Sequence, residues 1–376
     1  MSAGHRPILN SQFSILNLLR YTLKRLLYGL LVLLGVVTLV FFLFNILPGD
    51  PARMMLGQHA DAESVAIINR DLGRDKPVGL QYLNYLNDLV PISVHNAVDS
   101  DSYFFLDPDK YAPYTTLLTV GHTSVVCKAP YLRRSYQTKR KVSEIIASAF
   151  PQTALLAVVA MAFALLLGVL LGTLSALFKD SWVDRLALLL STLGMSLPSF
   201  FAAILIAWFF AYVLADWTHL NMFGTLYTVD DYGTGEYLDL KNLILPALTL
   251  GIRPLATLTQ LTRNSLLEAL SQDYIRTARA KGISYRRVVV HHALRNAMNP
   301  VVTSASGWLA GLLAGAVFVE YVFDWKGMGI VIVDGLDQYD FPVVIGAILF
   351  VCVLLIVINI VTDILYGLLD PRVRLQ

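Results

Sequence analysis

Charge is scarce in this chain. Asp, Glu, Lys and Arg make up 15% of its 376 residues, while hydrophobic residues make up 56%. A soluble domain carries roughly 25% charged residues, so with a mean hydropathy of +0.60 the composition excludes that class and identifies a polytopic membrane protein. The formal net charge is only +2, and the basic residues are distributed by topology, so nucleic acid is not an expected partner. The two cysteines, Cys127 in a polar segment and Cys352 in an apolar run, cannot build a disulfide framework. Cys352 reads as a small core residue. Signature motifs are missing as well: no phosphate-cradling Gly-x-x-x-x-Gly-Lys-Ser/Thr, no His-Glu-x-x-His, no Gly-x-Ser-x-Gly and no Cys-x-x-Cys. These absences predict no catalytic residue, no metal set and no cofactor in this chain. His291 and His292 are adjacent and fall on different faces of a helix, which argues against a shared metal.

What the chain has is long apolar runs. Six reach the roughly 20 residues that span a bilayer: about 26–47, 152–177, 187–214, 243–264, 300–319 and 343–366. The first is too long for a signal h-region and lacks an Ala-x-Ala-like site, so it reads as an uncleaved span. Arg6, Arg20, Lys24 and Arg25 precede it, Lys179 and Arg185 join the second and third, and Arg372 and Arg374 follow the last. Loops 215–242 and 320–342 carry one lysine each, Lys241 and Lys326, among several acids. The positive-inside rule therefore predicts cytoplasmic termini (1–25 and 371–376), an external segment 48–148, and a core 149–370 holding spans two to six. Within the external segment, Asp61 to Gly73 and Pro77 to Leu89 have helical spacing, whereas about 91–130 is rich in Asp, Ser, Tyr and Pro without clean periodicity.

Ionisable groups inside the spans are few. Arg253, before Pro254, reads equally as a pathway residue or as a partner for an acid on another helix; Asp363 near the end of the sixth span reads as a structural or interfacial charge. Small residues at four-residue spacing, Gly168 with Gly172 and Gly307 with Gly311 and Gly315, predict close helix packing within the chain or at a subunit contact.

The remaining feature is the charged stretch 271–298 between the fourth and fifth spans. Ser271 is placed to cap a short helix 272–281, Gly282 to stop it, and Ser284 to cap a second helix through about Met298, before Pro300. Tyr274, Ala278 and Lys281 at i, i+4 and i+7 form a narrow face with an aromatic anchor. Such a helix either enters a protein groove or lies on the membrane surface with its arginines on headgroups.

Several stretches together resemble the permease subunits of peptide-type ATP-binding-cassette importers. They are Leu47-Pro-Gly-Asp-Pro51, Leu245-Pro-Ala-Leu-Thr-Leu-Gly251, Asp273-Tyr-Ile-Arg-Thr-Ala-Arg-Ala-Lys-Gly282, His292-Ala-Leu-Arg-Asn-Ala297, Gly315-Ala-Val-Phe-Val-Glu320 and Leu369-Asp-Pro-Arg372, with Asn359 and Asp363. The resemblance covers about 20–90 and 131–376. It implies an all-α permease of the type I importer fold with six transmembrane helices, working with a second permease as a heterodimer, two ATPase subunits that bind the ATP, and an extracytoplasmic solute-binding protein. It places Arg276-Thr277-Ala278 where importers carry Glu-Ala-Ala, and so implies an ATPase-coupling surface at Tyr274, Arg276, Thr277, Ala278, Arg279, Lys281, Gly282 and Ser284. About 91–130 stands as an insertion where the family has a brief turn, and Arg295 stands where many importers have proline. The rival reading is a self-contained ion-coupled carrier or channel with Arg253 in its path; an intramembrane enzyme lacks the signatures.

Overall fold

A computed structural model describes residues 7–46, 65–66, 69, 75–99, 102–229 and 235–369. In chain order its elements are α1 (Pro7–Ile46), α2 (Val78–Leu89), β1 (Ile92–Asn96), α3 (Pro108–Tyr111), β2 (Tyr114–Val120), β3 (Thr123–Lys128), α4 (Val142–Leu177), α5 (Trp182–Ser196), α6 (Ser199–Trp208), α7 (Ala215–Thr218), β4 (Tyr227–Val229), β5 (Glu236–Leu238), α8 (Lys241–Ser271), α9 (Asp273–Ala280), α10 (Tyr285–Arg287), α11 (Arg295–Gly315), α12 (Val317–Phe323), α13 (Met328–Asp337) and α14 (Phe341–Leu369). π-helical turns at Phe209–Val213 and Val288–Leu294 continue α6 and join α10 to α11. The motif at Leu47–Pro51 lies outside the described residues, and of the expected helix from Asp61 to Gly73 only 65–66 and 69 are described, as helical.

Four helices are long and apolar enough to cross a bilayer: α1 over Thr22–Leu43, α4, α8, and α14 over Phe341–Thr362. Two more candidates are bent pairs, Trp182–Ser196 with Ser199–Val213 at 114°, and Tyr285–Leu313 with Val317–Phe323 at 58°, giving up to six. Helices suit this setting because a bilayer offers no partner for a free backbone N–H or C=O. The break in the third span has a local cause. Pro198 pushes Leu197 out of the helical region to φ −71°, ψ 129°, so the chain turns there. Pro300 does not act as the expected stop: the helix that follows the π-turn runs through it to Gly315. Pro151, Pro246 and Pro254 likewise sit inside helices.

The chain forms two compact units, 1–32 with 149–330 and 351–376, and 33–148 with 331–350. The core of the first is built from α4, α6, α8, α11 and α12 around Leu156, Leu245, Leu258, Val301 and Trp325. In the second, α2 lies on Val37, Phe41 and Leu349 through Tyr85, Tyr82 and Leu86.

Within the mostly helical chain, the second unit carries a small sheet in the stretch of about 91–130, where the sequence has no clean periodicity. Residues 92–128 fold as an antiparallel sheet of order β1-β3-β2, pairing Ile92 with Cys127 and Tyr114 with Lys128. Its interior is polar as well as aromatic. Ser93 and His95 of β1 point inward while Ile92 and Val94 are exposed. Asp88 of α2 accepts a hydrogen bond from the Tyr111 hydroxyl at 2.7 Å, and Lys128 donates to the Asp88 carbonyl at 2.7 Å. Burial raises the Asp88 carboxyl above its ordinary range and lowers the Lys128 ammonium; burial, then the Lys128 charge, hold the His95 imidazole down at about 4. The chain then returns through Ser135, whose hydroxyl donates to Asp340 together with the Tyr136 backbone N–H at 2.9 Å.

Candidate functional site

The stretch between the fourth and fifth spans forms a corner of two helices. Ser271 is not the cap of α9: its hydroxyl donates back to the Glu268 carbonyl at 2.7 Å, closing α8. Gln272 turns the chain in extended conformation, φ −75°, ψ 152°, and α9 then runs eight residues with Asp273 in its first turn and Arg279 in its last, each favourable to the helix dipole. The Arg276–Asp273 pair at 3.5 Å is exposed on both sides and adds little stability.

Stability comes from the opposite face. Ile275 and Ala278, one turn apart, are 1% and 7% exposed and sit with Ala176, Leu266, Val288, Ala293 and Ala297 in a small apolar cluster. The four alanines leave room for α9 to approach α4, α8 and the π-turn closely. This corrects the expected face of Tyr274, Ala278 and Lys281. Ala278 is turned into its own chain, whereas Tyr274, Arg276, Thr277, Arg279 and Lys281 are exposed.

The end of α9 is closed by a Schellman motif. The Gly282 N–H donates to the Arg279 carbonyl at 2.9 Å and the Ile283 N–H to the Ala278 carbonyl at 3.3 Å. Gly282 adopts φ +75°, and a Cβ there would meet open space, so backbone conformation rather than crowding requires glycine. Ile283 packs against the same apolar cluster. Ser284 occupies the cap position of α10 through its backbone, its carbonyl accepting from Val288 N–H at 3.0 Å, while its side chain makes no cap bond. Across the corner the Arg279 guanidinium lies 5.2 Å from the Tyr285 ring centroid.

Two charged anchors steady the first unit, one beside the corner and one at the far end of the helices, and sequence reasoning gave a structural role to neither. Arg263 of α8 grips Asp184 through Nε at 2.6 Å and Nη2 at 2.7 Å. The Ser175 hydroxyl and the Asp180 N–H also donate to Asp184. That bidentate pair ties the turn between α4 and α5 to α8 in the direction of α9, since Ala176 belongs to the cluster under α9. Ser181 three residues before Asp184 was a legible helix start; nothing marked Arg263 as its partner. The second anchor is Glu320, fully buried, which accepts from the Thr153 hydroxyl at 2.6 Å and the Gly329 N–H at 2.6 Å. A Cβ at Gly329 would come within 2.7 Å of that carboxylate.

The small-residue stripes separate. At Gly168 a Cβ would stand 3.2 Å from the Leu255 carbonyl, and at Gly172 2.7 Å from Thr262, so α4 and α8 touch through glycine. Gly307 and Gly311 meet nothing within 4 Å in this chain. The surroundings of Gly315 and of the Asp363 side chain lie outside the description. Arg253, in the body of α8, is exposed, and its side chain has no hydrogen bond or ion pair among the described residues. Those residues also contain no group of three or more His, Cys, Asp and Glu placed to hold a metal ion.

Comparison with known proteins supplies what geometry cannot. Residues 168–375 match the family model described as binding-protein-dependent transport system inner membrane component, and 18–103 match the N-terminal model of such components. The glutathione transport system permease protein GsiC of Salmonella typhimurium LT2 is 36% identical over 357 residues, 95% of this chain and 99% of that protein. The protein of the same name in Escherichia coli K12 is 36% identical over 358 residues. A structure described as inward facing conformations of the MetNI methionine ABC transporter aligns with a TM-score of 0.49 at 16% identity, over 61% of this chain and 97% of that one.

Proposed function

The chain belongs to the family of binding-protein-dependent transport system inner membrane components, and from that premise we propose that its α9 corner is where separate ATPase subunits drive solute import. The chain is a permease subunit and not an enzyme. Its own residues contribute a membrane pathway and a docking helix; ATP is bound and hydrolysed by two partner subunits. A second permease completes the pathway, and an extracytoplasmic binding protein delivers the solute. Peptides or similarly small solutes fit this reading, glutathione being the solute named for the relatives. The termini, 271–298 and 371–376 lie on the cytoplasmic side, and 48–148 outside.

The observation that carries the docking proposal is the division of α9 into a buried apolar face, Ile275 and Ala278, and an exposed face of Tyr274, Arg276, Thr277, Arg279 and Lys281. A helix pinned on one side by its own chain and free on the other can transmit a push without being deformed. Alternating access follows if the two docked states bind nucleotide with different affinity, because a ligand without preference shifts no equilibrium. The roles assigned to these residues, to Gly282 and to Ser284 are tested by co-purification from solubilised membranes. Wild-type chain should bring down a second permease and ATPase subunits, and Tyr274→Ala with Arg276→Glu should lose the ATPases while retaining the permease. Transport by the purified chain alone would favour the carrier reading.

A further inference from the structure

A membrane helix that turns charge and hydrogen-bonding groups outward must turn them to water or to another subunit, because hydrocarbon solvates neither. α8 does this along one line. Arg253, Thr257, Gln260 and Asn264 fall within an arc of about 60° at 3.6 residues per turn; Arg253 and Asn264 are exposed and Thr257 and Gln260 half-buried. Glu268 prolongs the line, for about 22 Å in all at 1.5 Å per residue. The opposite face, through Leu255, Leu258, Thr259 and Thr262, is the one pressed against Gly168 and Gly172. The polar line is thus the face of α8 turned away from its tightest contact. The neighbouring helix α11 repeats the pattern, with Asn299 exposed and Thr303 half-buried, and with Gly307 and Gly311 open to space.

From this we propose that α8 lines an aqueous passage, and that Arg253 is the group in it that receives a carboxylate of the passing solute. The inference rests on the importer reading given above. Thr257 donates to the Arg253 carbonyl at 3.1 Å and Asn264 Oδ1 accepts from Arg263 Nη1 at 3.3 Å, so the groups left to solvate are the Arg253 guanidinium and the Gln260 amide two turns on; a single partner acid would satisfy only the first, and a wet passage accounts for both. A guanidinium matches a carboxylate because its planar fork donates two parallel hydrogen bonds, and it stays charged at every relevant pH. Peptides carry a carboxylate at one end, and of the α8 charges with no side-chain partner among the described residues, Lys241, Arg253 and Glu268, Arg253 is the one within the expected span 243–264.

The test uses the whole transporter in proteoliposomes, with Cys127→Ser, Cys352→Ser and Arg253→Cys in this chain, radiolabelled S-methylglutathione as a solute that keeps the carboxylates but has no thiol to cleave a mixed disulfide, and an otherwise identical complex retaining Arg253 as control. A water-exposed thiolate displaces methanesulfinate from a methanethiosulfonate and forms a mixed disulfide, which adds an aminoethyl cation or a sulfonatoethyl anion at the site. Arg253→Cys should lower ATP-driven uptake at least tenfold, the cation should restore a large part of it, the anion should not, and S-methylglutathione should slow the labelling. Absence of labelling, or recovery indifferent to the sign of the added charge, would overturn the proposal. So would loss of the second permease on Arg253→Cys, which would assign the arginine to an inter-subunit ion pair. Failure of the Arg253 control to take up S-methylglutathione with ATP would instead refute the peptide-importer reading beneath it.

Discussion

Gly282 is where one residue's backbone decides the geometry of the corner. With φ at +75° and open space around it, a side chain there meets no neighbour but pays roughly 1–2 kcal/mol for the left-handed conformation, more when β-branched. Gly282→Val should therefore abolish ATP-driven uptake with normal membrane insertion, while Gly282→Asn, which tolerates this conformation, should retain a measurable rate. Equal uptake by both would contradict the role. Glu320 offers a second test at this scale. Removing its carboxylate in Glu320→Ala strands the Thr153 hydroxyl and the Gly329 N–H, at about 1–3 kcal/mol for each buried group left unpaired. Thermal unfolding in detergent should shift down accordingly. Glu320→Gln should shift it less, because the amide can turn its oxygen to the Gly329 N–H and its NH2 to the Thr153 hydroxyl, which can accept. Gly282 could be placed in the sequence since a glycine after a basic last turn has one common use. The direction of Ala278 could not, because in an eight-residue helix the wheel does not say which small residue turns inward. Its burial makes Ala278→Arg a test of folding, so Arg276→Glu is the cleaner probe of docking.

Among the elements, the apolar runs announced the candidate spans, while Pro300 misled about one boundary and the break at Pro198 fell inside a run, 187–214, read as continuous. Pro300 lies inside a helix that continues to Gly315, whereas Pro198 breaks the third span. The sheet at 92–128 was illegible for a physical reason. A half-buried strand is read from apolar residues on its inner face, and β1 inverts this with Ser93 and His95 inside and Ile92 and Val94 outside. That inversion predicts a pH response. His95 is held neutral with its pKa at about 4, below the ordinary 6.5, so the unfolded segment binds the proton more readily. The contribution is intact above pH 6.5 and is lost as pH falls from 6.5 towards 4. Asp88, raised by burial, acts in the opposite sense, so the comparison is with His95→Gln. Amide hydrogen exchange in β1 and β3 should speed up on acidification more in the wild type than in that variant. An identical response in the two would remove His95 from the explanation.

At the scale of the whole molecule, the chain supplies a transport partner with almost no chemistry of its own. The family was legible in the apolar runs and in the motifs from Leu245 to Arg372. What stayed hidden were pairings between distant positions, Asp184 with Arg263 and Thr153 with Glu320, because charge complementarity over scores of residues leaves no local pattern. Of the two, the Asp184–Arg263 pair ties α8 to the start of α5 beside the cluster that holds α9. Replacing Asp184 by Asn, which weakens the bidentate grip of Arg263, should uncouple ATP hydrolysis from uptake more than it lowers assembly; coupled activity at the wild-type ratio would argue against a stiff link. The central claim is that the exposed face of α9 meets an ATPase subunit. The most direct measurement is photocrosslinking in intact membranes, with benzoylphenylalanine placed at Arg276 on the exposed face and at Ile275 on the buried one. The account predicts a crosslink to a nucleotide-binding ATPase from position 276 and only internal products from 275. Crosslinks from 276 to lipid alone would contradict it and leave α9 as a helix resting on the membrane surface.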